Sequence, residues 1–160
     1  GPMMKFDSKE WRAERDTLLL AWLGGNHDAR AFILQMAEVA EVWDDLVDGD
    51  EVPRERLHGA FVTALFDIPA NPFFIRHVDY LRPLMLAGMN AWLDSTELER
   101  RDDKWAKTWA YALRDYYMEL VPACAFLTGG YARMRMVSIE AREFFQAETL
   151  EQFLATPAVT

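Results

Sequence analysis

The chain has 160 residues, 51% of them hydrophobic and 13% aromatic, and carries a formal net charge of −9. That length suits one domain with a real core, and the composition excludes a disordered chain. The charge disfavours binding along a nucleic-acid backbone, and a lone cysteine, Cys124, excludes a disulfide framework or a cysteine-cluster zinc site.

No apolar run is long enough to span a bilayer and no signal peptide is evident, so no membrane contact and a cytoplasmic location are expected. Gly1-Pro2 reads as a cleavage scar, and residues 1–6 and 156–160 as flexible ends. The stretch between them predicts an all-α, single-domain bundle of about six helices around a central amphipathic acidic helix, residues 28–48.

Asp7-Ser8-Lys9-Glu10 has capping-box spacing and opens a first helix to about Leu23. Trp11, Leu18, Leu19 and Trp22 form its apolar side, and Gly24-Gly25-Asn26 ends it. The central helix follows, with Asp28 at its start and Gly49 as its left-handed stop. Phe32, Ile33, Met36, Val39, Ala40, Trp43, Leu46 and Val47 recur three and four apart as one stripe.

Glu38, Glu41, Asp45 and Asp48 fall opposite that stripe, with Asp44 at its boundary. Like charges one turn apart repel, and acids near a helix C-terminus oppose the dipole. Two readings stay open: a solvated surface, or carboxylates gathered for Mg²⁺, which takes oxygen ligands.

Pro53 suits the start of a third helix with an apolar stripe of Leu57, Phe61, Ala64 and Leu65. Arg54, Arg56 and His58 come soon after the acids, placed to neutralise them or to hold a phosphate; neutralisation is favoured. Pro69-Ala70-Asn71-Pro72 breaks the chain, and Asn71 caps a fourth helix whose inner side is Phe74, Val78, Leu81, Met85, Met89 and Trp92. His77 on that side reads as a packed core histidine, and Pro83 predicts a kink.

Ser95-Thr96-Glu97-Leu98-Glu99 offers a capping box before a long fifth helix to about Leu127, with Leu98, Trp105, Trp109, Ala112, Leu113, Tyr116 and Leu120 inward. Asp115 and Glu119 lie one turn apart at the stripe's edge. Cys124 reads as a small buried hydrophobe. Gly129-Gly130 closes this helix, and a sixth runs from Tyr131 to about Phe145, with a further segment to Leu154. There is no phosphate-binding glycine loop, no GxSxG elbow and no HExxH, so enzymatic chemistry here would be carboxylate–metal chemistry.

Asp44-Asp45-Leu46-Val47-Asp48 resembles the aspartate-rich DDxxD motif of trans-isoprenyl diphosphate synthases and terpene synthases. The resemblance implies Mg²⁺ bound by Asp44, Asp45 and Asp48 with help from Glu41, and a diphosphate substrate. It also implies a second acidic set, for which Asp115 and Glu119 are the nearest candidates, and phosphate contacts from Arg54 and Arg114. Glu38-xx-Glu41 followed by Asp45 and Asp48 is similar to the all-α nucleotide pyrophosphohydrolases of the MazG and dimeric dUTPase type, which also use Mg²⁺. The runs WDDLVDGDEVP, NPFF, LRPL and YALRDYY with the late glycine pair, from Ala37 to Gly130, resemble small proteins of tailed bacteriophages. That implies action in the host cytoplasm.

Three expectations follow. The first is a Mg²⁺-dependent enzyme acting on a diphosphate-containing small molecule. The second is a non-catalytic phage protein whose acidic face meets a basic host protein. The third is a homodimer joined through exposed aromatic surface.

Overall fold

The structure, a computed structural model, describes residues 8–156. The expected flexible ends lie outside that range but for Thr156, as does Asp7. The described chain is helical with no strand. Six helices run nine residues or longer: α1 (Lys9–Trp22), α2 (His27–Val47), α3 (Arg54–Val62), α6 (Val78–Glu99), α7 (Lys104–Leu113) and α8 (Leu120–Phe145). Short segments join them: a π-helical turn (Thr63–Asp67), α4 (Ile68–Ala70), α5 (Pro72–Arg76), a 3₁₀ turn (Tyr116–Glu119) and α9 (Leu150–Ala155). The chain forms two compact units, one running to Val78 and including Leu127–Gly130, the other holding Asp79–Phe126 and the chain from Tyr131 on.

In the first unit Ser8 caps α1 by accepting from the Trp11 N–H at 3.1 Å. Asn26, not Asp28, caps α2, its side chain accepting from the Ala29 N–H at 2.9 Å. Gly24 and Gly25 take the positive φ that their turn requires, and so does Gly49 after α2. The first half of α2 buries Ala29, Phe32 and Ile33, with the Phe32 ring 6.4 Å from Phe73 and 5.7 Å from Phe74.

Beyond that point the expected stripe fails. Val42, absent from the stripe, is buried at 2% exposure, while Trp43, Leu46 and Val47 are turned outward. At about 100° per residue Val42 lies roughly opposite the side that buried Phe32 and Ile33. The reason is covering: α5 packs on one side of α2, and α1 and α3 reach the other side near its end.

The expected inward stripe of α3 also fails. Phe61 and Leu65 are 58% and 61% exposed, and Ala60, Thr63 and Ile68 are buried instead. Asn71 holds the next turn together. Its side-chain oxygen accepts from the N–H groups of Phe73 (2.8 Å) and Phe74 (3.2 Å). Its amide donates to the Asp28 carbonyl at 3.0 Å and to Gln35 Oε1 at 3.3 Å. His77 ends α5 with its ring 4.7 Å from that of Phe73, and burial, with the nearby Arg76 charge, lowers its pKa.

In the second unit α6 runs through Ser95, so the expected capping box there does not form. The Ser95 hydroxyl donates to the Trp92 carbonyl at 2.6 Å, and Asp103 caps α7 by accepting from the Ala106 N–H at 3.0 Å. Small residues set the packing of α7. Ala106 and Ala110 are buried, whereas Trp105 and Trp109, expected inside, are 62% and 48% exposed. Gly88 of α6 allows close approach, since a Cβ there would meet the Tyr117 Cα at 3.3 Å. The run from Leu120 to Ala125 is buried, and burial raises the pKa of the Cys124 thiol, which sits there as an inert apolar group. Gly130 breaks the helical path inside α8 with φ 77°.

Asn71→Ala removes a cap and two long-range donations from a buried site, and is expected to lower stability by about 2–3 kcal/mol. Asn71→Ser restores the cap alone and should recover only part of that loss. Urea denaturation midpoints of the three proteins check this; equal losses for the two variants would remove the long-range role.

Candidate functional site

The acid cluster of α2 is tied to arginines from two other helices. Asp45 Oδ2 accepts from Arg56 Nη1 at 2.7 Å, and Glu41 Oε2 lies 3.8 Å from Arg12 Nη2 and 4.0 Å from Arg56 Nη2. One turn earlier Glu38 Oε2 accepts from the buried Thr63 hydroxyl at 3.2 Å. The line Glu38–Glu41–Asp45, expected opposite the packed side, therefore faces α1 and α3. Arg56 neutralises it, as the sequence reading favoured.

Burial works against the Asp45 carboxylate, whose side chain is only 16% exposed. Hydrogen bonds and positive charge, with Arg56 among their sources, outweigh that penalty and hold its pKa below the ordinary value. Asp44 and Asp48 are half-buried on the flank of the outward side, and Arg54 is exposed at the start of α3.

The second unit contains an open cleft of about 350 Å³ lined by Tyr111, Arg114, Asp115, Arg142, Glu143 and Gln146, with Ala112 at its edge. Two of the candidates named from sequence, Arg114 and Asp115, meet in it. A third, Glu119, stands behind Arg142, its Oε1 accepting from Arg142 Nη2 at 2.5 Å.

Arg114 is fixed on several sides. Its guanidinium lies over the Tyr111 ring (4.8 Å) and the Phe153 ring (5.1 Å), and it pairs with the Glu148 carboxylate. The Tyr111 hydroxyl donates to the Glu148 carbonyl at 2.6 Å, so the same residues fasten α9 beside α7. Arg114 Nε is buried and makes no hydrogen bond, although Asp115 Oδ2 stands 3.3 Å away as an ion-pair partner. Burial raises the Asp115 pKa; Arg114 pulls it down and the Glu148 charge pushes it up, for a net rise. A largely buried carboxyl with a raised pKa at the wall of a cleft has the character of a proton donor or acceptor.

Sequence reading named Arg114, Asp115 and Glu119 but missed Tyr111, Glu143, Gln146, Glu148 and Phe153. Glu148 is 34 positions from Arg114 and carries no local signal. Among the described residues no three histidine, cysteine or carboxylate side chains converge on one point as ion ligands. Mg²⁺ in the cleft would rely on one or two carboxylates and fill its shell with phosphate oxygens and water.

The two perturbed aspartates act on stability in opposite directions. Asp45, with its pKa lowered, stabilises the fold above the ordinary carboxylate value of about 4, and that contribution is lost as pH falls below it. Asp115, with its pKa raised, costs stability when ionised, and the cost is relieved before pH falls to about 4. Asp45→Asn is therefore expected to lose about 1 kcal/mol at neutral pH. Asp115→Asn is expected to gain stability there, and to lose its advantage first on acidification. Denaturation measured in steps from neutral to acid pH reads both, and parallel curves for the two variants would refute the assignment.

No protein-family model, curated protein or solved structure matches the chain.

Proposed function

We propose that the chain is a binding protein that takes a basic protein partner at the C-terminal end of α2. One observation carries this reading. Trp43, Leu46 and Val47 are 42%, 48% and 37% exposed on a helix end where Asp44 and Asp48 flank them and exposed Asp50 and Glu51 follow. An apolar centre with a charged margin is the anatomy of a protein interface, and an exposed tryptophan suits its energetic centre. The net charge of −9, with exposed Glu51 close to this helix end, steers a basic surface toward it. If the chain is phage-encoded, as its resemblance implies, the partner is a host protein.

A photo-crosslinking side chain placed at Leu46 is expected to trap a basic protein from cell extract. Trapping should fall as salt screens the acids and should be lost on Val47→Asp, which leaves the fold intact because Val47 is exposed. Trapping indifferent to both salt and Val47→Asp would end this reading.

The cleft of the second unit favours another reading, a Mg²⁺-dependent enzyme acting on a diphosphate-containing substrate. Asp115, Glu119, Glu143 and Glu148 outnumber Arg114 and Arg142 around it, so a bare anion is repelled. A divalent cation reverses that balance. Asp115 and Glu143 would hold the ion, and Arg114 and Arg142 would contact the phosphates. Bound Mg²⁺ supplies Lewis-acid polarisation of phosphate oxygens. Calorimetry should then show pyrophosphate binding only with Mg²⁺ present, weakened about tenfold or more by Asp115→Asn. No heat with both present would end it.

A further inference from the structure

The short helix α9 is fastened to Arg114, the cation at the wall of the second unit's cleft. It is six residues long with none of them buried, and residues 146–149, which join it to α8, form no helix. A helix that short does not hold itself together in water, so α9 keeps its form by docking on α7. The Glu148 carboxylate pairs with Arg114 Nη1, and the Glu148 carbonyl accepts from the Tyr111 hydroxyl. The Phe153 ring lies against the Arg114 guanidinium and 5.6 Å from the Tyr111 ring. At the root of this segment Gln146 lines the cleft and accepts from Arg142 Nη1 at 3.2 Å. With α9 docked, Arg114 Nε is buried without a hydrogen bond.

We infer that α9 is a displaceable strap that gates the cleft, its Glu148 carboxylate holding on Arg114 the place that a phosphate of a Mg²⁺-bound diphosphate takes. Two anions at one guanidinium repel each other, so strap and ligand compete for Arg114. Detachment takes Glu148 and Phe153 away together and opens the guanidinium to a phosphate oxygen, which also supplies the partner that Nε lacks. It uncovers no buried side chain of α9, so it costs far less than unfolding the unit. By linkage, whatever the strap takes from ligand affinity the ligand takes from strap docking. The inference rests on the diphosphate reading of the cleft and supplies its regulation.

Calorimetry with Mg²⁺ and pyrophosphate, paired with amide hydrogen exchange on the full chain, tests it. Apparent affinity scales with the fraction of molecules whose strap is open. Phe153→Ala, which changes no charge, and Glu148→Gln are each expected to tighten pyrophosphate binding about tenfold. Glu151→Gln makes the same charge change at an exposed position of α9 and should leave binding near that of wild type. Circular dichroism should be alike for all four proteins, since α9 buries no residue. In wild type the amides of Leu150–Ala155 should exchange faster than those of α7, and faster still once Mg²⁺ and pyrophosphate are both present. Equal affinity in wild type and Phe153→Ala, or exchange of α9 slowed by the ligand, would overturn the strap and leave the diphosphate reading standing. Absence of binding in all four proteins would overturn the diphosphate reading and the gate with it.

Discussion

α2 is a helix covered from two sides in succession, and the local order of the first unit follows from that. Its apolar stripe is continuous in sequence, but its covering is not. Phe73 and Phe74 close over Phe32 near the start, where Asn71 also bonds to Asp28 and Gln35. Toward the end, Arg12, Arg56 and Thr63 approach the side that carries Glu38, Glu41 and Asp45. Where the second cover replaces the first, the helix keeps its geometry and the packed side changes. Trp43, Leu46 and Val47 are therefore exposed although their spacing marks them for a core.

The same change explains how so many acids are tolerated at a helix C-terminus, where both their mutual repulsion and the dipole oppose them. Arg56 reaches two of them from the next helix, and Arg12 reaches one from the preceding helix. Ion pairs at half-exposed sites contribute little each. Their effect here is to cancel a local penalty and to fix which side of α2 faces its neighbours. The cleft of the second unit uses a similar device, with Arg114 held among Glu148, Asp115 and two rings.

Local signals in the sequence marked several helix ends and misplaced others, such as the cap of α2, which is Asn26 and not Asp28. Serine before the first helix, asparagine and proline at 71 and 72, and glycines at 24, 25 and 49 mark helix ends in the structure. Gly130 likewise breaks the path of α8 where the glycine pair predicted a stop. What periodicity could not reveal was which side of a helix would find a neighbour. On α7 the alanines 106 and 110 permit close packing, so they take the buried side and Trp105 and Trp109 stand out. The capping box expected at Ser95 failed because its hydroxyl bonds back within a helix that never ends there. The cleft was half legible: Arg114, Asp115 and Glu119 could be named, but Glu148 and Phe153 come from a distant segment.

Exposed apolar side chains and a large net charge are usually treated as opposing tendencies, yet here they divide the work of selection. A charge of −9 keeps copies of the chain apart at a distance and draws in positive surfaces. At the end of α2 the acids stand beside the exposed tryptophan, so attraction and contact coincide on one surface. On the outward side of α3 the exposed charges are mixed, with Arg54 and Glu55 side by side at one end and Asp67 toward the other, so the flanking charge favours no particular partner. Screening by salt therefore weakens the attraction of the acidic surface at the end of α2 for positive charge.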